Sequence, residues 1–167
     1  MNEIAHATTR ESLQLSEDIS RFPRGSKNEE QIAEWLATWA RDHGFEVKVD
    51  AVRNTLIKVP GSPGYEDSPT VVLQGHMDMV CEKTPDSTHD FTKDPIQLVY
   101  EGEWLTANKT TLGADNGIAL AMALVAATDV ENPHPPLELL FTVDEETGLT
   151  GACSLEPGFL EGKTLLN

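Results

Sequence analysis

Three short clusters carry side chains able to hold a divalent cation: Gly75-His76-Met77-Asp78, the stretch around Asp115, and Asp144-Glu145-Glu146-Thr147-Gly148. His76 followed two residues later by Asp78 is a ligand-and-orienter spacing. The carboxylate can accept the second imidazole N–H, fix the tautomer and raise the basicity of the nitrogen that meets the metal. Asp115 sits between a Gly-Ala turn and a strongly apolar stretch, where a helix dipole and free backbone N–H groups keep a carboxylate ionised and rigid. The plainer alternative makes Asp115 only a helix N-cap. Adjacent acids such as Glu145 and Glu146 usually form a solvated face. Here they follow an apolar run and precede a Thr-Gly turn, so one can face a metal while its neighbour faces a bound water.

If one ion takes His76, a second takes Glu146 and Asp115 bridges them, Glu145 is left free to abstract a proton. That arrangement is a two-metal hydrolase, in which the ions lower the pKa of a bridging water from roughly 15.7 toward about 7 and polarise the scissile carbonyl. Mixed nitrogen and oxygen ligation with one histidine per ion suits zinc, with manganese or cobalt as replacements. His6, His43, His89 and His134 lack partners at ligand spacing and read as structural or solvent histidines. Cys81 has no histidine close by and one basic neighbour, Lys83, which does not describe a nucleophilic thiol. The Gly113-Ala-Asp-Asn-Gly117 turn lacks phosphate-loop spacing and a lysine, and its acid repels phosphate.

The clusters need strand ends to meet. Val71–Leu73 and Leu137–Val143 are continuous apolar runs, which predicts buried strands delivering His76 and Glu145 at their carboxyl ends. A third such strand is predicted at Lys163–Asn167. The segment from Asp115 to about Thr128 is apolar nearly all round and predicts a helix buried against the sheet. Upstream, residues 11 to 22 predict a short amphipathic helix ended by Pro23 and Gly25. Ser26 or Asn28 is the expected cap of a second helix over Glu29–His43, with Gly44 as its stop. Phe45–Val49 and Thr55–Val59 alternate around a turn near Arg53 and read as an antiparallel pair. A small hairpin is predicted around Glu101–Glu103, with Leu98, Tyr100, Trp104 and Leu105 packing beneath it.

With 167 residues and 39% hydrophobic content, the chain fits one folded α/β domain. Its 28 acidic against 12 basic residues give a net charge of -16, which disfavours nucleic acid and anionic membranes and favours cations. Two widely spaced cysteines read as free thiols. Neither a signal-peptide pattern nor a membrane-length apolar run is legible, so a soluble, cytoplasmic chain is expected.

GHMD, LGADNG and DEETG in this order resemble the zinc-dependent exopeptidases and deacylases, a group that includes aminoacylase, glutamate carboxypeptidase and cytosolic dipeptidases. The run THDFTKDPIQLVYEGEWLTANKTTLGADNGIALA, at 88–121, sharpens the likeness to the aminoacyl-histidine dipeptidases, and it extends over nearly the whole chain. The resemblance implies a three-layer α/β/α catalytic domain with a mixed sheet. It implies His76, Asp115 and Glu146 as metal ligands, with Asp115 bridging, Asp78 orienting His76 and Glu145 as general base. It further implies two divalent ions, a small unblocked dipeptide such as β-alanyl-histidine as substrate, and a homodimer for the full-length form.

The same resemblance implies another aspartate ligand just beyond Asn167 and a histidine ligand far downstream. Residues 1–167 are therefore expected to be a truncated, N-terminal part of the catalytic domain, without the lid or dimerisation domain. A non-catalytic metal-binding or interaction domain and an N-acyl amino acid deacylase are the alternative functions.

Overall fold

The structure, a computed structural model, describes residues 6–167. The first helix, α1, spans Ala7–Ile19 and stops short of Pro23, and α2 spans Glu30–Asp42. On α2, Ile32, Ala33, Leu36, Ala37 and Ala40 recur at helical spacing and are buried. Gly44, at φ 76°, follows its end, and the Phe45 N–H returns to the Ala40 carbonyl, as in a glycine-terminated helix. The expected cap differs. Neither Ser26 nor Asn28 caps α2: the N-cap position belongs to Glu29, which makes no side-chain capping bond. Its carboxylate is committed to a loop far along the chain, described below.

Strands β1 (Glu46–Val49), β2 (Thr55–Val59) and β3 (Val71–His76) are followed by the hairpin of β4 (Leu98–Glu101) and β5 (Trp104–Ala107). Helix α3 (Ala114–Thr128), strand β6 (Leu137–Thr142), the short α4 (Thr150–Cys153) and β7 (Thr164–Leu166) complete the order. The main sheet runs β1-β2-β6-β3-β7. β1 and β2 pair antiparallel, β2 meets β6 antiparallel, and β3 lies parallel to both β6 and β7. The sheet is mixed, as expected.

Register decides what each face does. Ile57, Leu139 and Leu73 share one face, which carries the main core with Ile19, Leu36, Leu120 and Leu124 from α1, α2 and α3. Leu56, Leu140 and Val72 point to the other face and are covered by Leu155, Phe159 and Leu160, beyond α4. Helices therefore build one full layer, and among the described residues the second covering layer is α4 with the turn that follows it.

The hairpin forms where predicted, but its packing does not follow the expectation. Trp104 is 76% exposed and Tyr100 is exposed as well. A two-stranded ribbon joined to neither edge of the main sheet has no second face to bury, so only part of its apolar surface finds cover. The Tyr100 hydroxyl instead donates to Glu17 on α1.

Candidate metal centre

β3 and β6 are central and parallel, so their carboxyl ends open on the same side of the sheet. His76 is the last residue of β3 and is buried. Its Nε2 lies 3.0 Å from Asp115 Oδ1 and 3.9 Å from Glu145 Oε2. Its Nδ1 lies 3.1 Å from the main-chain oxygen of Asp78 and 3.3 Å from that residue's carboxylate. Both ring nitrogens face only acceptors, so both carry a proton in the ion-free chain; Nδ1 is held by Asp78, and Nε2 is the nitrogen turned to the site.

Asp78 is fully buried. Its carboxylate accepts Ser26 Oγ–H at 2.7 Å and the backbone N–H groups of Glu145 at 3.0 Å and Glu146 at 3.2 Å. Burial would raise this carboxyl, yet His76, Ser26 and the two N–H groups hold it well below the usual carboxylate range. Burial likewise opposes a charge on His76. Asp78, by hydrogen bond and by charge, outweighs it with help from Asp115 and Glu145, pushing the imidazole up to about 9.

Asp115 does not act as an N-cap. The cap position of α3 is Gly113, with φ 72°, and no side chain caps the helix. Asp115 itself has extended backbone angles, φ -81° and ψ 110°, which turn its carboxylate toward His76. Glu145 and Glu146 follow β6 on a tight loop. Asp144 is left-handed at φ 49° and accepts the Thr147 hydroxyl at 2.5 Å, and the N–H groups of Gly148 and Leu149 close on the Glu145 carbonyl. Burial pushes the Glu146 carboxyl up, against the attraction of His76, and the charges of Glu145, Asp115 and Asp78 push the same way.

His76, Asp115 and Glu146 each present one donor atom, all within 4.8 Å of one another. Donors on one tetrahedral zinc stand about 3.3 Å apart, so these three, with His76 and Asp115 at 3.0 Å, are close enough to ligate divalent ions. Glu145 flanks them. An open cleft of about 440 Å³ adjoins Glu146, walled by Met79, Val80 and Phe91 with Ser26, Asn28 and Thr147 at its polar edge.

Four residues that hold this site were not singled out from sequence. Arg24 donates to the carbonyls of Met77, Asp78 and Gly113, and burial pulls its guanidinium down to about 10 against the attraction of Asp78 and Cys81. Ser26 binds Asp78. Glu29 accepts the Asp144 N–H at 2.8 Å. Asn54 accepts the Val143 N–H and donates to the Gly151 carbonyl. In sequence each looks like an ordinary loop or cap residue; the only nearby signal is the Gly113 and Gly117 pair around Asp115, which invites a close approach. His43 stacks on Trp39 and His89 meets the Phe91 ring edge-on, both structural. Burial pushes the Cys81 thiol up.

No protein-family model matches the chain. It is 44% identical over all 167 residues to a cytosol non-specific dipeptidase of Escherichia coli (strain K12), of which it covers 34%. It superposes on the crystal structure of an aminoacylhistidine dipeptidase from Vibrio alginolyticus with a TM-score of 0.92 and 46% identity, over 100% of this chain and 35% of that one. The chain is related to the aminoacyl-histidine dipeptidases. Like that dipeptidase structure, it sets helices against a mixed sheet. The chain spans about a third of the length of these dipeptidase relatives. A more distant relative is an acetylornithine deacetylase of Klebsiella pneumoniae, 34% identical over 130 residues, covering 75% of this chain and 32% of that protein. Among the described residues no helix is long and apolar enough to cross a membrane.

Proposed function

We propose that this chain carries part of the active site of a metal-dependent dipeptidase acting on unblocked dipeptides, the Xaa-His type among them. The observation that carries the reading is the meeting of His76, Asp115 and Glu146 donors within 4.8 Å beside Glu145, in a chain related throughout to dipeptidases. His76 and Glu146 would hold one ion each, with Asp115 between them. Zinc, or else manganese or cobalt, held there would supply Lewis acidity to acidify a water and polarise the peptide carbonyl. Glu145, half-buried and, among the described residues, close to the His76 side chain alone, accepts the proton of the attacking water and returns it to the leaving amine. Asp78 keeps the imidazole oriented and keeps Glu145 and Glu146 on a fixed loop.

One imidazole and two carboxylates are too few protein donors for two tetrahedral ions. The reading therefore includes further ligands from sequence outside residues 1–167, in a longer catalytic domain that also bears a second, dimer-forming domain. A cytoplasmic site of action is supported by the naming of the E. coli relative as a cytosol enzyme.

In the full-length protein Glu145→Gln should leave the bound metal, measured by elemental analysis, nearly unchanged while lowering kcat for a free dipeptide by about 10³-fold. Turnover retained in that variant overturns the assigned base. Dipeptide turnover that survives complete metal removal overturns the whole reading. Hydrolysis of N-acyl amino acids is a second reading, favoured by the acetylornithine deacetylase relative. A panel of free against N-acylated substrates decides between them.

A further inference from the structure

We infer that Arg24 is a positioning residue: its guanidinium sets the spacing between the strand end that bears His76 and the turn that bears Asp115. The inference rests on the ion-binding reading above, and it concerns what builds that site.

His76 and Asp115 come from segments 39 residues apart, and each must be placed to within a fraction of an ångström for both to reach one ion. Farther from the site the two segments are tied by Thr111, whose hydroxyl donates to the Val80 carbonyl at 2.6 Å and whose N–H donates to the Glu82 carbonyl at 2.8 Å. Among the described residues, the direct hydrogen bond at the site itself, between 76–79 and 112–116, is the His76–Asp115 pair. At that end Arg24 supplies a second bridge. Nη1 donates to the Met77 carbonyl at 3.0 Å and to the Asp78 carbonyl at 3.4 Å, and Nη2 donates to the Gly113 carbonyl at 2.5 Å. Met77 is the neighbour of His76, and Gly113 lies two residues before Asp115. The main chain of Arg24 adds a fourth link, its carbonyl accepting the Met79 N–H at 3.0 Å.

Two features show that the surroundings are shaped for this side chain. A Cβ on Gly113 would stand 2.4 Å from Nη2, and one on Gly117 would stand 2.8 Å from it. The glycines on either side of Asp115 thus leave room for the guanidinium. The second feature is cost. Arg24 is 2% exposed, its hydrogen bonds go to main-chain carbonyls, and among the described residues its buried Nε has no hydrogen-bond partner. A buried cation so placed is expensive, and a methionine would fill the volume without that expense. What methionine cannot do is span two separate carbonyl groups with a rigid planar fork; lysine, a single point donor, cannot do so either. The positive charge also attracts the buried Asp78 carboxylate.

The test uses the full chain with Arg24→Met, Arg24→Lys and Gly117→Ala, cobalt(II) as the probe ion, and near-ultraviolet circular dichroism as the check on folding. Cobalt affinity by competition titration should fall about 10- to 100-fold in Arg24→Met, and the cobalt absorption spectrum should change. In the ion-free chain the ¹⁵N signals of the His76 ring should move away from wild type, reporting a loosened pairing with Asp115. Arg24→Lys should restore folding but not the ring signals. Gly117→Ala keeps the arginine and suits a helix, yet pushes the guanidinium, and it should give a smaller change of the same kind. If Arg24→Met does not fold, the other two variants decide. Wild-type ring signals and cobalt spectrum in folded variants overturn the inference. A wild-type chain that binds no cobalt overturns the ion reading, and the ion-free ring signals then still judge Arg24.

Discussion

Asp78 accepts the backbone N–H of Glu145 at 3.0 Å, which ties the end of β3 to the loop after β6. One buried carboxylate therefore serves two clusters that are 67 residues apart in sequence. It faces the His76 ring with one oxygen and holds the Glu145-Glu146 loop with both. The orientation of the imidazole and the placement of the two glutamates are not independent properties of this fold.

Asp78→Ala should accordingly cost more than one hydrogen bond. It leaves Ser26 Oγ–H and two backbone N–H groups without their acceptor and removes the charge facing His76, for a loss of about 3–5 kcal/mol in urea unfolding. Because the folded carboxyl titrates below its ordinary value, the stability it contributes is complete above about pH 4 and declines as pH falls below that. The variant should lack this acid-dependent component.

His76 responds in the opposite sense. Its folded value of about 9 lies above the ordinary 6.5, so its contribution is complete below about pH 6.5 and disappears as pH rises through 9. The ion-free chain should lose melting temperature across that window. Since Nε2 is protonated at pH 7 and a ligand nitrogen must be free, zinc binding should release about one proton from His76. Calorimetry in buffers of different ionisation enthalpy reads that number directly. Zero release at pH 7 would mean that His76 is neutral before the ion binds, against the raised value, or that it is not a ligand.

The strands that present the clusters were legible because β3 and β6 are short apolar runs and their termini are abruptly polar. Periodicity also exposed α2, and the turn residues exposed the hairpin. What pattern could not reveal is long-range partnership. Glu29 looks like the start of a helix in sequence, and in space its carboxylate holds the Asp144 N–H, 115 residues away. Arg24 lies in a polar stretch that reads as a loop, yet it is among the largest fully buried side chains. Asp115 carries a cap-like sequence context but not a cap's conformation, because Gly113 takes the cap position and the backbone at Asp115 stays extended. Trp104 fits an apolar hairpin stripe and stays exposed, because no second layer reaches it.

Leu149 offers a test of strain in the glutamate-bearing loop. It is a non-glycine residue at φ 59°, and 49% exposed, so its side chain contributes little packing to offset the left-handed backbone. Leu149→Gly relieves roughly 1–2 kcal/mol of left-handed strain and loses part of that to glycine's unfolded-state entropy, for a net stabilisation of less than about 1 kcal/mol in chemical denaturation. The Glu145 carbonyl would keep the N–H of residue 149, so the loop should hold its shape.

Gly151 tests the other support of that loop, at the start of α4. A Cβ there would stand 2.2 Å from the Val143 carbonyl oxygen and 2.7 Å from Asn54 Oδ1. Both are fixed: Val143 O accepts the Gly151 N–H at 3.1 Å, and Asn54 Oδ1 accepts the Val143 N–H at 3.1 Å. Neither can give way without breaking a buried hydrogen bond, so Gly151→Ala should destabilise by about 2–4 kcal/mol. Asn54→Ala removes the side-chain clash partner but leaves the Val143 N–H and the Gly151 carbonyl without their side-chain partner. The double variant should therefore be less destabilised than the sum of the two single changes, because the residues share one contact. Strict additivity in a double-mutant cycle would mean that α4 and the end of β6 adjust independently, and that Asn54 does not couple them.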